Sequence, residues 1–274
     1  MSITDIINPV ELALVPLTSR VSGEIEAMSF GDKALLFMEL SILAYCSETK
    51  TVENGKIIGF DEIYKVGFEN DQSVTIFSSK SDVVLVFRGT YNLDNLIEDA
   101  DYKLVSDQNN PGKVHQGFLG DFNKLWPSIV PHLDGTKKVW AAGHSLGGAL
   151  AAIATVRAAR RDGPNIDGLF TYGQPRIGTA AYVADIGIDC YRWVDYNDLV
   201  PRLPPMTMHF AHFGKEMYID SSGYVVPKTL GGHARRILAG LLSVLMRFNL
   251  GDHDVYKYRS AILRTNQESV NVKR

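Results

Sequence analysis

Apolar residues recur along this chain in two rhythms. Between residues 32 and 46 they fall at Leu35, Leu36, Met38, Leu40, Ile42, Leu43 and Tyr45, a density that predicts a largely buried helix. From residue 118 they fall at Phe118, Leu119, Phe122, Leu125, Trp126 and Ile129, the single stripe of an amphipathic helix. Between these two the spacing shortens. Residues 59–68, 73–79 and 83–87 read as strands, with Glu69-Asn70-Asp71 as a turn. The run Val83-Val84-Leu85-Val86-Phe87 is continuous and rich in β-branched side chains, as expected of a strand buried on both faces.

A second buried strand, 138–142, runs into Gly143-His144-Ser145-Leu146-Gly147-Gly148. An alanine-rich helix follows over 149–161 and ends at Asp162-Gly163-Pro164. Strands at 168–172 and 190–194 each lead into polar loops. Strands alternating with helices predict an α/β fold: a mostly parallel central sheet flanked by helices, with ligands gathering at the carboxyl ends of the strands. No repeat, low-complexity tract or linker divides the 274 residues, so one domain over 1–274 is the expectation.

That geometry directs attention to Gly143-x-Ser145-x-Gly147, which sits between a predicted strand and a predicted helix. This is the setting of the nucleophile elbow of the α/β-hydrolase fold. A serine on such a turn is held at or near positive φ, and its small neighbours let helix and strand pass closely. The hydroxyl is thereby lifted above the sheet, where the helix start offers backbone N–H donors. A glycine turn without chemistry is the bland alternative, and the strand-turn-helix context weighs against it. The backbone N–H of Leu146, the residue after the serine, is then one predicted oxyanion donor.

A serine hydroxyl needs a histidine to take its proton, and that histidine needs a carboxylate to hold it. In this fold the chain order is serine, acid, histidine. The acid is Asp195 or Asp198, both just past a strand end. Of the four later histidines, His253 stands on a loop leading to a terminal helix, and His233, after Gly231-Gly232, is the alternative base. His209 and His212 have no evident third ligand, so no metal site is expected. His144 reads as a packing residue beside the serine, His115 as structural.

Five motifs in one order resemble the class 3 lipase family, which includes fungal lipases, related bacterial and plant lipases and feruloyl esterases. They are Val84-Leu85-Val86-Phe87-Arg88-Gly89-Thr90, Val114-His115-Gln116-Gly117-Phe118, Gly143-His144-Ser145-Leu146-Gly147-Gly148-Ala149-Leu150-Ala151, Thr171-Tyr172-Gly173-Gln174-Pro175-Arg176-Ile177-Gly178 and Asn197-Asp198-Leu199-Val200-Pro201. They span 84–201, and Asp252-His253 extends the likeness. The first 30 residues and 220–250 carry none. The resemblance implies the α/β-hydrolase fold, puts the acid on Asp198 and the base on His253, and makes Thr90 the second oxyanion donor, where many fungal lipases carry serine. It implies a serine carboxylic ester hydrolase, foremost a triacylglycerol lipase cleaving acylglycerol esters through an acyl-enzyme on Ser145. Carboxylesterase, feruloyl-esterase-like and phospholipase A1 activities are the alternatives within that class. A non-catalytic α/β-hydrolase-like binding module is the alternative outside it.

In fungal lipases the segment after the Thr90 position forms an amphipathic lid. Here Leu96 stands at the lid tryptophan, and Asp94, Glu98, Asp99 and Asp101 make the stretch acidic, which gains little at an anionic surface. A polar stretch here is closer to the feruloyl esterases. Tyr91, Leu93 and Leu96, together with His144, are candidate substrate contacts. So are Leu241 and Leu245, on a predicted helix over 235–250 that is apolar around a line of Arg236, Gly240, Ser243 and Arg247. That helix reads as an acyl-chain wall or cap, a core helix or a dimer contact.

The same resemblance implies a lipid or other small ester as the partner, with contact to a lipid surface as an open expectation, and composition adds only exclusions. A net charge of −3 carries no signature for nucleic acid, and no glycine-rich phosphate loop suggests a nucleotide or other cofactor. No stretch reaches the roughly 20 apolar residues of a membrane-spanning helix. Two cysteines are too few for a disulfide framework, which favours a reducing compartment. The first ten residues lack a basic start followed by an apolar run, so no secretory signal is visible. The expectation is a cytoplasmic protein or one exported by a route not readable from this chain.

Overall fold

The computed structural model describes residues 16–67, 72–90, 102–108, 110–133, 135–160, 165–226 and 253–271. In chain order these form α1 (Phe30–Leu43), α2 (Glu48–Ile58), β1 (Glu62–Gly67), β2 (Ser73–Ser78), β3 (Asp82–Phe87), β4 (Leu104–Val105), β5 (Val114–His115) and α3 (Gln116–Ile129). There follow β6 (Lys138–His144), α4 (Leu146–Arg160), β7 (Gly168–Tyr172), β8 (Gly178–Thr179), β9 (Asp189–Asp195), β10 (Phe210–Ala211), β11 (Lys215–Ile219), β12 (Val225–Val226) and α5 (Val255–Asn271).

The central sheet has the order β1-β2-β3-β6-β7-β9-β11-β12. Its middle, from β3 through β6, β7 and β9 to β11, is parallel, and its edges are antiparallel. The reason is connection length. Parallel neighbours need a crossover of a dozen or more residues, whereas the short link from β2 to β3 permits only a hairpin. A small second sheet, β10-β8-β5-β4, stands beside it.

Both faces of the central sheet are covered, as the continuous apolar strands require. On β3, Val83, Leu85 and Phe87 enter one core with α3 and α4, while Val84 and Val86 enter the other with α1 and α5. Helix α1 is buried from Ala34 to Leu43, including Glu39, which accepts from Arg259 of α5 at 2.7 and 2.9 Å and from the backbone N–H groups of Thr18 and Ser19. Helix α3 presents one apolar stripe, Phe118, Leu119, Phe122, Leu125 and Ile129, and His115 caps it by accepting from the N–H of Phe118 at 3.3 Å.

Several expectations shift. The strand read over 59–68 is shorter, and residues 48–58 form α2, which the sequence reading lacked. That helix has weak periodicity of its own; it is fixed by tertiary contact, with Thr51 bonded to the Leu43 carbonyl and Gly55 lying against Ile63 and Phe77. Strand β6 extends to His144, and α4 begins at Leu146. The turn at 69–71, the helix stop at 162–164 and the apolar helix over 235–250 lie outside the described residues. Among those described, no helix is long and apolar enough to cross a membrane. Both cysteines, Cys46 and Cys190, are free and buried.

Candidate active site

At the junction of β6 and α4, Ser145 holds φ at 61°, a left-handed conformation for a residue with a Cβ. Such a conformation costs on the order of 1–2 kcal/mol and persists only where its surroundings enforce it. Here they do. The N–H of Ser145 donates to the Tyr172 carbonyl at 2.9 Å, and its own carbonyl accepts from Gly148. Two residues on, a Cβ at Gly147 would lie 2.0 Å from the Phe87 carbonyl oxygen, so the helix start fits against β3 only because glycine stands there. Leu146 is the first residue of α4, and its N–H therefore has no partner within the helix.

The end of β3 reaches the same point. A Cβ at Gly89 would sit 3.2 Å from Ser145 Cβ, which puts the following residue, Thr90, beside the serine turn. Asp198 follows β9. Its Oδ1 accepts from the N–H of Val200 at 2.8 Å and its Oδ2 from His253 Nδ1 at 2.7 Å. His253 stands two residues before α5 and lies over Gly173, where a Cβ would come within 2.5 Å of its ring and 2.9 Å of Asp198 Oδ2. Gly173 continues directly from Tyr172, the residue that anchors Ser145. Ser145, Asp198, His253, Leu146 and Thr90 are thus gathered at the carboxyl ends of β3, β6, β7 and β9.

Asp198, His253 and Ser145 are each at most 1 % exposed. Among the described residues, two atoms in this cluster are buried without a hydrogen-bond partner: Ser145 Oγ and His253 Nε2. Leaving a buried polar atom unpaired costs about 1–3 kcal/mol, and such atoms in a native structure call for an explanation. The carboxylate fixes the tautomer: Nδ1 carries a proton toward Asp198, so Nε2 presents a lone pair. The arrangement is a hydroxyl and a basic nitrogen in one water-poor cluster, with a helix N-terminus beside them.

The structure corrects one contact. His144, counted among the substrate-contacting residues, is fully buried, and both its ring nitrogens are engaged: Nδ1 with the Tyr45 hydroxyl at 3.1 Å and Nε2 with the His253 carbonyl at 2.9 Å. It supports His253 from behind. Tyr91, Leu93, Leu96, Leu241, Leu245 and the alternative base His233 lie outside the described residues. Asp195, the alternative acid, accepts from the N–H of Asn197. His212 donates to the Pro201 carbonyl at 2.6 Å, and His209 sits in a left-handed conformation after a short 3-10 turn. Sequence reasoning missed Tyr45 and Tyr258, whose hydroxyls meet His144 and Asp198; each falls on an apolar stripe and reads as core.

The profile of the class 3 lipases matches residues 84–208. A lipase of Rhizomucor miehei is 36 % identical over 168 residues, 57 % of this chain and 46 % of its own length. A secreted mono- and diacylglycerol lipase of Fusarium solani is 32 % identical over 153 residues, 52 % of this chain and 45 % of its own. The chain thus spans about half the length of these curated relatives. Among solved structures, the triacylglyceride lipase of Rhizomucor miehei superposes with a TM-score of 0.61 at 25 % identity, covering 83 % of this chain and 94 % of that one.

Proposed function

We propose that this chain, whose residues 84–208 match the class 3 lipase family, is a serine carboxylic ester hydrolase acting on acylglycerol esters. The observation that carries the reading is the pair of orphaned atoms, Ser145 Oγ and His253 Nε2, in a cluster where Asp198 holds the opposite nitrogen. In this reading Ser145 Oγ attacks the ester carbonyl while His253 Nε2 takes its proton. Catalytic hydrogen bonds of this kind are often unformed without substrate and tighten in the complex. Asp198 steadies the imidazolium that results.

Charge then develops on the carbonyl oxygen. The N–H of Leu146 and the N–H and hydroxyl of Thr90 are the donors, a contribution on the order of 3 kcal/mol each where such groups have been removed. His253 returns its proton to the leaving alcohol, and an acyl-enzyme remains on Ser145. Water, activated by the same nitrogen, releases the acid. Burial favours every one of these charge-dipole contacts, because little solvent competes. The relatives named as lipases of mono-, di- and triacylglycerols support acylglycerols as the substrate class.

A fluorophosphonate probe tests the reaction and an ester panel the substrate. The probe should label the protein, and Ser145→Ala should abolish both labelling and hydrolysis. Hydrolysis of mono- and diacylglycerols alongside acetate, octanoate, palmitate and feruloyl esters then ranks the substrates. Absence of labelling in the folded wild-type protein would leave a non-catalytic binding module as the better account. Labelling with turnover only of feruloyl or acetate esters would replace the lipase with an esterase.

A further inference from the structure

Asp198 Oδ2 accepts two hydrogen bonds. One comes from His253; the other comes from the hydroxyl of Tyr258, at 2.5 Å. Tyr258 lies in the first turn of α5, and its ring is fully buried, edge-on to both His144 and Tyr172 at 6.0 and 6.3 Å. Its oxygen is also the acceptor for the backbone N–H of Asp195 at 3.2 Å. That second bond decides the direction of the first. The N–H of Asp195 can only donate, so the phenol's single proton is committed to Asp198. Burial, with the nearby carboxylates of Asp198 and Asp195, pushes the phenol well above its usual range, which keeps that proton in place.

We propose that Tyr258 is a positioning residue of the site, a fixed second donor to the carboxylate oxygen that holds His253. This rests on the reading of Ser145, His253 and Asp198 given above. Two consequences follow from one bond. With Val200 on Oδ1 and Tyr258 on Oδ2, the carboxylate cannot rotate, so the lone pair directed at His253 is set before substrate arrives. Tyr258 also withdraws charge from Oδ2, so Asp198 stabilises the His253 imidazolium less than a bare buried carboxylate would. Among the described residues, the titratable groups facing this carboxylate are His253, Tyr258 and Asp195, with the ring of His144 tilted against that of His253.

The test compares wild type with Tyr258→Phe and with 3-fluorotyrosine placed at 258, reading the pH profile of kcat/KM on a soluble short-chain ester. Fluorination makes the phenol a stronger donor while keeping its shape. Removing the donor should lower kcat several-fold with KM little changed and move the acid limb up, on the order of half a pH unit. Fluorotyrosine should move it down. In parallel, the low-field proton of His253 Nδ1 should shift downfield in Tyr258→Phe, and this reading requires no turnover. If wild type neither labels nor hydrolyses, the functional reading fails while that resonance still tests the Tyr258 contact. A Tyr258→Phe protein that loses only thermal stability, with pH profile and resonance unchanged, overturns the proposal. If Tyr258→Phe does not fold, an acid limb unmoved by fluorotyrosine overturns it.

Discussion

The imidazole of His144 lies 4.4 Å, centroid to centroid, from that of His253, and its Nε2 donates to the backbone carbonyl of His253 at 2.9 Å. A carbonyl only accepts, so Nε2 bears the proton and Nδ1 is left to accept from Tyr45. Burial, reinforced by the neighbouring His253, holds His144 well below its ordinary value of 6.5. A neutral ring is what the site requires, because a second cation here would oppose the imidazolium at His253.

The sign of the stability effect follows. The unfolded chain protonates His144 near pH 6.5 and the folded one only well below it, so between those values the unfolded state binds more protons. Stability should fall as pH drops below 6.5, by up to about 1.4 kcal/mol per pH unit from this one group. His144→Gln should be less stable at pH 7.5 yet lose less on going to pH 5. Parallel melting curves for the two proteins across that range would contradict the assignment.

The strained turn makes a separate prediction. Ser145→Ala and Ser145→Gly both remove the hydroxyl, but only glycine relieves a backbone held at φ 61°. Glycine also gives the unfolded chain more freedom, which offsets part of the gain, so a net difference of about 0.5–1 kcal/mol in favour of Ser145→Gly is expected. Both proteins should be inactive, and calorimetry should rank Ser145→Gly as the more stable.

Gly147→Ala should be severe. The added Cβ would meet the Phe87 carbonyl oxygen at 2.0 Å and its carbon at 2.7 Å, and neither backbone atom can give way without parting α4 from β3. The exposed Gly120 in α3 has open space around it, so Gly120→Ala should instead gain about 0.5–1 kcal/mol from helix propensity. Denaturant midpoints of the two variants should move in opposite directions.

Much of this was legible because the signals were local. The β-branched run at 83–87, the glycine-flanked serine and the alanine-rich helix after it each encode their conformation within a few residues. What the sequence hid depends on distance along the chain. Helix α2 has a polar, weakly periodic sequence and is held by contacts to β1, β2 and the end of α1. Tyr258 sits between Val255 and Ile262 on the buried stripe of α5, so its spacing reads as packing, and only the fold brings its hydroxyl to Asp198 from 60 residues away. For His144 the sequence offers both a packing role beside the serine and a substrate contact; the turn sends its side chain away from that of Ser145, to Tyr45 and the His253 carbonyl, so the packing role holds and the substrate contact does not.

The helix that begins at Leu146 is fastened at its far end by a buried ion pair. Arg157 Nη2 lies 2.7 Å from Asp107 Oδ1, and Asp107 Oδ2 accepts from Tyr182 and Asn110. Burial raises the Asp107 carboxyl, but the Arg157 guanidinium, Tyr182 and Asn110 outweigh it, leaving the group below its ordinary 3.8. Its contribution is therefore complete above pH 3.8 and lost as pH falls through the lower folded value. Removing one partner is worse than removing both, because a lone buried charge has neither water nor a counter-ion. Asp107→Ala should cost about 3–5 kcal/mol, with the Arg157 guanidinium stranded 5.0 Å from the Phe122 ring. Adding Arg157→Met should recover a substantial part of that loss, since methionine can fill the space against Phe122 without a charge. Urea unfolding of the two single variants and the double variant measures the coupling directly. If the losses simply add, the pair contributes no more than its separate packing, and α4 is held in place by its apolar face alone.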